Sequence, residues 1–207
     1  MIGVGGKRGL LLDFGGVVTS DFYGALRAFG VREGIGESAV ERVLRDSDEG
    51  RAVLAGVEVG SVPQHEYARV LARLLGVSPV GLLGRVLADL RPCQPILDLV
   101  ARARAEGIKT AVLSNSWGTG EYDPYDGYDL DERFDAVVIS DRVGLRKPDP
   151  RIYRLCVEKI GLTASECVFV DDTAHNLPPA EDLGMATVLF TDVAAGVPQI
   201  EALLRPV

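Results

Sequence analysis

The sequence has few cysteines and histidines, and their spacing does not fit the common metal and disulfide frameworks. Three cysteines and two histidines occur in 207 residues. Cys93, Cys156 and Cys167 lie far apart and form no C-x-x-C pair, so the sequence predicts neither a zinc site nor a disulfide scaffold. We expect three reduced, buried thiols.

Long hydrophobic runs and an excess of basic residues are also missing. No apolar stretch approaches the ~20 residues that a membrane-spanning helix needs, and the first residues lack the long uncharged core of a secretory signal. These features predict a cytoplasmic protein outside the membrane. A net charge of −8 argues against general affinity for nucleic acid, which requires a basic face. Arginine far outnumbers lysine, which suggests a GC-rich bacterial genome.

The composition is that of an ordinary soluble globular chain. Hydrophobic residues make up 47% of the sequence and charged residues 25%, which is typical of globular domains. The length is sufficient for one domain with a modest insertion. The sequence does not indicate an oligomeric state.

Five apolar segments each end in polar residues. The first is the segment 9–18, in which three consecutive leucines precede Asp13. The other four are Ile108–Leu113, Ala136–Ile139, Val168–Val170 and Ala186–Phe190. Continuous apolar runs are typical of strands that are covered on both faces of a parallel sheet. Ligands of such sheets bind beyond the carboxyl ends of the strands, which is where the polar residues lie.

Helical patterns separate these strands. Asp149-Pro150 has the form of an N-cap followed by proline at the first helical position. Further helical patterns cover Ile96–Glu106, Pro178–Leu183 and Gln199–Leu204. The alternation predicts an α/β fold with a doubly wound, Rossmann-like parallel sheet.

The alternation is interrupted in the segment 20–90, which has helical patterns and no convincing strand. Ser61 and Ser78 have the character of N-caps, and the helices after them run toward Gly76 and Leu90. We interpret residues 20–90 as an inserted α-helical cap domain, and residues 1–19 and 91–207 as the α/β core.

Four short motifs follow the strands in a fixed order. They are Asp13-Phe14-Gly15-Gly16-Val17-Val18-Thr19, Leu113-Ser114-Asn115, the segment 147–153 that begins Lys147-Pro148-Asp149-Pro150, and Phe169-Val170-Asp171-Asp172-Thr173. Together they resemble the four motifs of the haloacid dehalogenase (HAD) superfamily. Within it, the motifs are most similar to those of the N-terminal phosphatase domain of soluble epoxide hydrolases and of bacterial sugar-phosphate phosphatases.

The resemblance implies a hydrolase that acts on a small phosphorylated metabolite. Asp13 would attack phosphorus and form an aspartyl phosphate, which divides one difficult displacement into two easier steps. Ser114 and Asn115 would bind the phosphoryl oxygens. Lys147 would contribute a fixed positive charge at the same place.

The resemblance also implies a Mg²⁺ cofactor, because an attacking carboxylate and a phosphate repel each other. Mg²⁺ prefers oxygen ligands and usually keeps several waters. Asp13, the carbonyl of Gly15 and Asp172 would be its protein ligands, and Asp171 would orient a ligating water.

Gly15 departs from the usual phosphatase motif, which has a second aspartate at this position as general acid and base. His175 is a candidate replacement, since its unperturbed pKa near 6.5 suits proton transfer. Asn176 either holds the metal loop or caps the next helix. Trp117 either lines the substrate entrance or lies in the core. The tyrosine-rich stretch 121–131 is predicted to be a surface loop near the mouth of the site.

Two other functions remain open. A metal-independent 2-haloacid dehalogenase also lacks the second aspartate, but its fourth motif usually has serine and asparagine where this chain has Asp171-Asp172. A catalytically weak domain that binds a phosphorylated ligand is the second alternative, and Gly15 favours it.

Overall fold

The computed structural model describes residues 6–205, and a five-stranded parallel sheet lies at its centre. The strands are Gly9–Leu12 (β1), Lys109–Ser114 (β2), Ala136–Ile139 (β3), Cys167–Asp171 (β4) and Ala186–Leu189 (β5). Their order is β3-β2-β1-β4-β5, and Leu12 pairs with Val112 on one side and with Val170 on the other. The predicted doubly wound α/β fold is confirmed.

Helices cover both faces of this sheet and fill the long segment after β1. They are Phe22–Arg32 (α1), Ala39–Asp46 (α2), Asp48–Glu58 (α3), Gln64–Leu75 (α4), Leu82–Val86 (α5), Gln94–Ala105 (α6), Leu130–Arg133 (α7), Ser140–Val143 (α8), Pro150–Lys159 (α9), Pro178–Asp182 (α10) and Val193–Leu204 (α11). Within residues 6–205 no helix combines the length and the apolar character needed to cross a membrane.

The three leucines of β1 explain why its sequence is apolar without alternation. Leu10 and Leu12 pack in the cluster that includes α6 and α11, whereas Leu11 packs in the cluster that includes α9. Successive side chains of a strand point to opposite faces, and here both faces are buried. Cys156 and Cys167 are buried free thiols, as expected, and Cys93 is half-buried.

The first strand is shorter than the predicted segment 9–18. It ends at Leu12, and Phe14–Val18 form an irregular helical turn in which Gly16 has a φ of 81°. Only glycine fits here, because a Cβ on Gly16 would lie 2.1 Å from Asp172 Oδ2. The turn therefore brings the first motif directly against the end of β4.

Three predicted helix starts are also displaced. The helix α4 begins at Gln64 rather than near Ser61, and α5 begins at Leu82 rather than near Ser78. The hydroxyl of Ser61 instead donates to the carbonyl of Gly56. The last helix begins at Val193, so Pro198 lies inside it. The predicted start at Asp149 is correct, since its side chain accepts from the Arg151 amide.

The helices α1–α5, here called the helical segment, supply most of one apolar cluster, to which Trp117 from the chain after β2 also belongs. Its centre contains Phe29, Tyr67 and Leu71. The chain enters and leaves this segment at one place, because Ser20 N donates to Arg91 O and Cys93 N donates to Val18 O, both at 2.8 Å. The helical segment is thus joined to the sheet through two adjacent connections.

We expect Phe29→Ala to lower the free energy of unfolding by about 3–5 kcal/mol, the usual cost of deleting a buried aromatic ring. Phe29 is 0% exposed at the centre of the cluster. Val31→Ala is the matched control, because Val31 lies on the same helix and is 66% exposed. Urea unfolding of both variants measures the difference. Equal effects would contradict a packed cluster in this segment.

Candidate active site

The charged motif residues meet in one cavity at the carboxyl edge of β1 and β4. The cavity has a volume of about 470 Å³ and lies between this edge and the helical segment. The predicted residues that line it are Asp13, Gly15, Asn115, Trp117, Lys147, Asp172, His175 and Asn176. Ser114 and Asp171 lie behind its surface and are buried.

Lys147 forms ion pairs with Asp13, which follows β1, and with Asp171, which ends β4. Its Nζ lies 2.7 Å from Asp13 Oδ1 and 2.7 Å from Asp171 Oδ2, and the side chain is 1% exposed. Burial alone would lower the pKa of Lys147, but the charges of Asp13 and Asp171 outweigh it and raise this pKa above its usual range. Lys147 therefore stays a cation in the closed interior of the site.

Asp171 is fully engaged by hydrogen bonds. Its oxygens accept from Lys147 Nζ, from the backbone amide of Thr173 at 2.8 Å and from Asn176 Nδ2 at 3.1 Å. Sequence reasoning missed the contact with Lys147, because Lys147 lies in the loop before α9 and not at the end of a strand next to β4. The contact gives Asp171 a positioning role toward Lys147.

Two asparagines fix the backbone around these charges. Asn115 Oδ1 accepts from the Lys147 amide at 2.8 Å, and Asn115 Nδ2 donates to the Lys147 carbonyl at 3.0 Å. The side-chain amide of Asn176 donates to Asp171, and the backbone carbonyl of Asn176 accepts from the Tyr153 hydroxyl at 2.7 Å. Both side chains hold the loops that carry the site.

Asp13 follows β1 directly and presents one carboxylate oxygen to the cavity. Oδ1 accepts from the Phe14 amide at 2.7 Å and lies next to Lys147, whereas no donor in residues 6–205 hydrogen-bonds Oδ2. Burial raises the pKa of Asp13 above its usual range, Lys147 opposes the shift, and Asp171 and Asp172 add to it. The carboxylate thus lies in a site with more acidic groups than cations.

Asp13, Asp171 and Asp172 form a cluster that fits a hard divalent cation. One carboxylate oxygen of each lies within 4.8 Å of the others. Burial, followed by the charge of Asp171, raises the pKa of Asp172 to about 6. A divalent cation among these oxygens would favour their ionised forms. Mg²⁺ takes oxygen ligands of this type, so the donor set agrees with the predicted cofactor.

Ser114 has an unexpected partner. Its Oγ lies 2.9 Å from the hydroxyl of Tyr125, whose ring packs 4.7 Å from Phe14. Tyr125 is 8% exposed, so the prediction of a surface loop is wrong at this residue. The acidic neighbours of Tyr125 indicated solvent, and nothing in the local pattern distinguishes it from Tyr122 and Tyr128, which are less buried.

The helical segment and Trp117 supply an apolar wall. Trp117 is buried against Phe22 and Tyr67 and also lines the cavity. A role at the substrate entrance stays a prediction. The charged lining residues that sequence reasoning missed are Glu41, Arg45, Glu58 and Arg146. Arg146 precedes Lys147 and its position was a usable signal, whereas Glu58 belongs to no motif. His175 is exposed at the rim.

Three curated relatives match about half of this chain. Acyl-CoA dehydrogenase family member 10 of Mus musculus is 38% identical over 105 residues, 51% of this chain and 10% of that protein. Bifunctional epoxide hydrolase 2 of Rattus norvegicus is 33% identical over 52% of this chain and 20% of its own length. Glyceraldehyde 3-phosphate phosphatase of Methanocaldococcus jannaschii is 29% identical over 49% and 45%. The chain thus spans less than half the length of these relatives.

Solved structures share the fold over nearly the whole chain. A predicted HAD-like family hydrolase from Porphyromonas gingivalis has a TM-score of 0.73 and is 24% identical, and the match covers 96% of this chain and 98% of that chain. A HAD family enzyme from Bacteroides thetaiotaomicron, in complex with magnesium and inorganic phosphate, has a TM-score of 0.67 and is 24% identical. This match covers 89% of this chain and 94% of that chain. L-2-haloacid dehalogenase from Xanthobacter autotrophicus has a TM-score of 0.62 and is 20% identical, and the match covers 96% of this chain and 89% of that chain.

A match to a protein-family model identifies the family of this chain. The model for haloacid dehalogenase-like hydrolases matches residues 7–184. That range contains the four motifs and all the charged residues of the cavity described above. The resemblance predicted from the motifs is confirmed, and the chain belongs to the haloacid dehalogenase-like hydrolases.

Proposed function

We propose that this protein is a Mg²⁺-dependent phosphatase that hydrolyses a small phosphorylated metabolite through an aspartyl-phosphate intermediate. The observation that carries the proposal is the carboxylate of Asp13, whose Oδ1 lies 2.7 Å from the buried cation of Lys147 and which forms a cluster with the carboxylate of Asp172. Its Oδ2 accepts no hydrogen bond from the described residues 6–205. The names of two relatives, a glyceraldehyde 3-phosphate phosphatase and a bifunctional epoxide hydrolase, agree with a hydrolase of small organic molecules.

In the proposed reaction, Asp13 Oδ2 attacks the phosphorus of the ester. The Oδ2–P bond forms and the bond from phosphorus to the leaving oxygen breaks. Lys147 stabilises the negative charge on the transferring group, since it is fixed in place by Asp171 and Asn115. Water then attacks the aspartyl phosphate, which releases inorganic phosphate and restores Asp13.

Mg²⁺ held by Asp13, Asp172 and the Gly15 carbonyl would neutralise charge between the nucleophile and the phosphate. Asp171 would orient a water bound to this Mg²⁺, and it also holds Lys147 in place. Ser114 and Asn115 belong to the loop that would bind the phosphoryl oxygens. The Ser114 hydroxyl also forms a hydrogen bond with the Tyr125 hydroxyl.

We further propose that residues 20–90 act as a cap over a core of residues 1–19 and 91–207. The adjacent connections at Ser20 and Arg91 support this division, because they form a single attachment for the helical segment. The apolar side chains that the cap contributes to the cavity, among them Phe22 and Leu54, would enclose the leaving group.

Hydrolysis of 4-nitrophenyl phosphate with Mg²⁺ tests the function directly. We expect Mg²⁺-dependent turnover that a chelator removes, and Asp13→Asn to reduce it on the order of 10⁴–10⁶-fold, as loss of a catalytic nucleophile does elsewhere. Asp182→Asn is the matched control, because this acidic residue is exposed and does not line the cavity.

Two results would overturn the phosphatase. Chloride release from 2-chloropropionate in the presence of chelator, without phosphate ester turnover, would favour the dehalogenase. Saturable binding of phosphate without turnover of any ester would favour a ligand-binding domain.

Metal binding can be measured apart from catalysis. Titration calorimetry with MgCl₂ should show one site, and Asp172→Asn should weaken binding by about tenfold or more, since loss of even an outer-shell partner of a metal costs about 10–100-fold. Asp182→Asn should bind Mg²⁺ like the unaltered protein. Equal affinities in both variants would remove Asp172 from the metal site.

A further inference from the structure

Glu58 is a buried carboxyl group in the same cavity as Asp13, at the end of α3. The residue is 7% exposed. Arg146 Nη1 lies 2.6 Å from Glu58 Oε2, yet the two groups are not aligned for a hydrogen bond. Within residues 6–205, Oε2 is therefore a buried oxygen without a hydrogen-bond partner. The ion pair with Arg146 offsets the cost of burying this oxygen, and the oxygen keeps a hydrogen-bonding capacity that a group bound in the cavity could use.

We propose that Glu58 is the general acid and base that replaces the aspartate absent at Gly15; this inference rests on the proposed phosphatase function. Asp13, Lys147 and Asp172 provide for the phosphoryl group at the sheet edge. The leaving group must then extend into the part of the cavity lined by the helical segment. Glu58 belongs to that segment and lines that cavity.

The surroundings of Glu58 suit proton transfer near neutral pH. Burial raises the pKa of Glu58 to about 7, against the opposing charges of Arg146 and Lys147. Tyr67 on α4 is also near Glu58. Burial is the larger cause that raises the pKa of Tyr67, and the charge of Glu58 is the second cause. The other titratable or charged groups on the elements packed against α3 are Glu41, Arg42, Arg45 and Asp46 on α2, His65, Glu66, Arg69 and Arg73 on α4, and Asp141 and Arg142 on α8. The lining of the cavity adds Asp13, Tyr23, Asp172 and His175. A general acid is most effective when its pKa lies near the working pH.

The proton balance of the two steps is complete. In the first step the Asp13 Oδ2–P bond forms, the P–O bond of the ester breaks, and the proton of the Glu58 carboxyl passes to the leaving oxygen, which gives an alcohol. In the second step the Glu58 carboxylate takes a proton from the attacking water. The oxygen of that water bonds to phosphorus while the P–Oδ2 bond breaks, which restores the Asp13 carboxylate and the protonated Glu58.

Glu58→Gln tests this role, because it keeps the shape of the side chain and removes the transferable proton. The substrates are 4-nitrophenyl phosphate and the alkyl phosphate that the unaltered protein hydrolyses fastest in a panel from methyl to octyl phosphate. In single turnovers, release of the alkyl alcohol should fall by about 10²–10⁴-fold, whereas release of 4-nitrophenol should change by less than about threefold, since this leaving group needs little protonation.

The pH profile gives a readout that a structural role would not move. Because the acid must be protonated, kcat/KM for the alkyl phosphate should fall as the pH rises through about 7, the pKa of Glu58. This basic limb should disappear in Glu58→Gln. Arg146→Gln should move it to higher pH, since the charge of Arg146 lowers the pKa of Glu58.

Two further variants separate chemistry from folding. Glu33→Gln removes a carboxylate from the ion pair with Arg85 in the helical segment, outside the cavity, and should leave both substrates unaffected. Adding Gly15→Asp to Glu58→Gln should restore alkyl turnover by supplying a second acid. Gly15 has a φ of −70°, and its Cβ would lie 3.3 Å from the Phe22 ring, so the change requires only a small shift.

Each outcome has one meaning. Equal losses with both substrates in Glu58→Gln, an unchanged basic limb, or no restoration by Gly15→Asp would overturn the proposal while the phosphatase stands. An alkyl-specific loss in His175→Gln, with Glu58→Gln unaffected, would transfer the role to His175. Absence of 4-nitrophenol release by the unaltered protein would instead overturn the proposed function.

Discussion

The buried ammonium group of Lys147, shared by Asp13 and Asp171, is the interaction on which the site depends. A buried cation is costly unless it is paired and its hydrogen bonds are satisfied. The carboxylates of two neighbouring strands supply the pairing, and Asn115 fixes the backbone from which Lys147 extends. The adjacency of β1 and β4 is therefore an electrostatic requirement as well as a packing result. Any change that separates β1 from β4 would leave a charge unpaired in the interior.

The fold was predictable because its strands are covered on both faces and its motifs follow those strands. Leu10, Leu11 and Leu12 are buried by helices on either side of the sheet, and so their sequence has no polar interruption. Element ends were less predictable, because local chemistry competes with tertiary contact there. The chain turns after Leu12 since Gly16 approaches Asp172, and the Ser61 hydroxyl bonds a carbonyl of the preceding helix rather than an N-terminus. Neither partner is visible in a local window of sequence.

The residues of the candidate site also fall into two groups, those that the sequence predicts and those that it does not. Asp13, Lys147, Asp171 and Asp172 stand in recognisable motifs, and the structure brings all four together. Tyr125 and Glu58 reach the site from a loop and from a helix without a motif, so only the folded chain connects them to it. The carboxylates of the site thus lie at the ends of β1 and β4, whereas Tyr125 and Glu58 come from segments whose sequence pattern reflects packing.

The glycine at position 15 has a physical consequence for where an acid can be placed. Three carboxylates already lie around one lysine at the sheet edge, where the charges of Asp171 and Asp172 raise the pKa of Asp13 and the charge of Asp171 raises the pKa of Asp172. A fourth carboxylate at position 15 would add to that repulsion, which only a bound dication would offset. A carboxyl group on α3 avoids the crowded edge and has its own counter-charge in Arg146. Its pKa is then set by burial and by Arg146 rather than mainly by the metal cluster. Placing the proton donor on the helical segment therefore makes its protonation depend on how that segment packs against the loop of Lys147, and makes it less sensitive to the charge of the nucleophile.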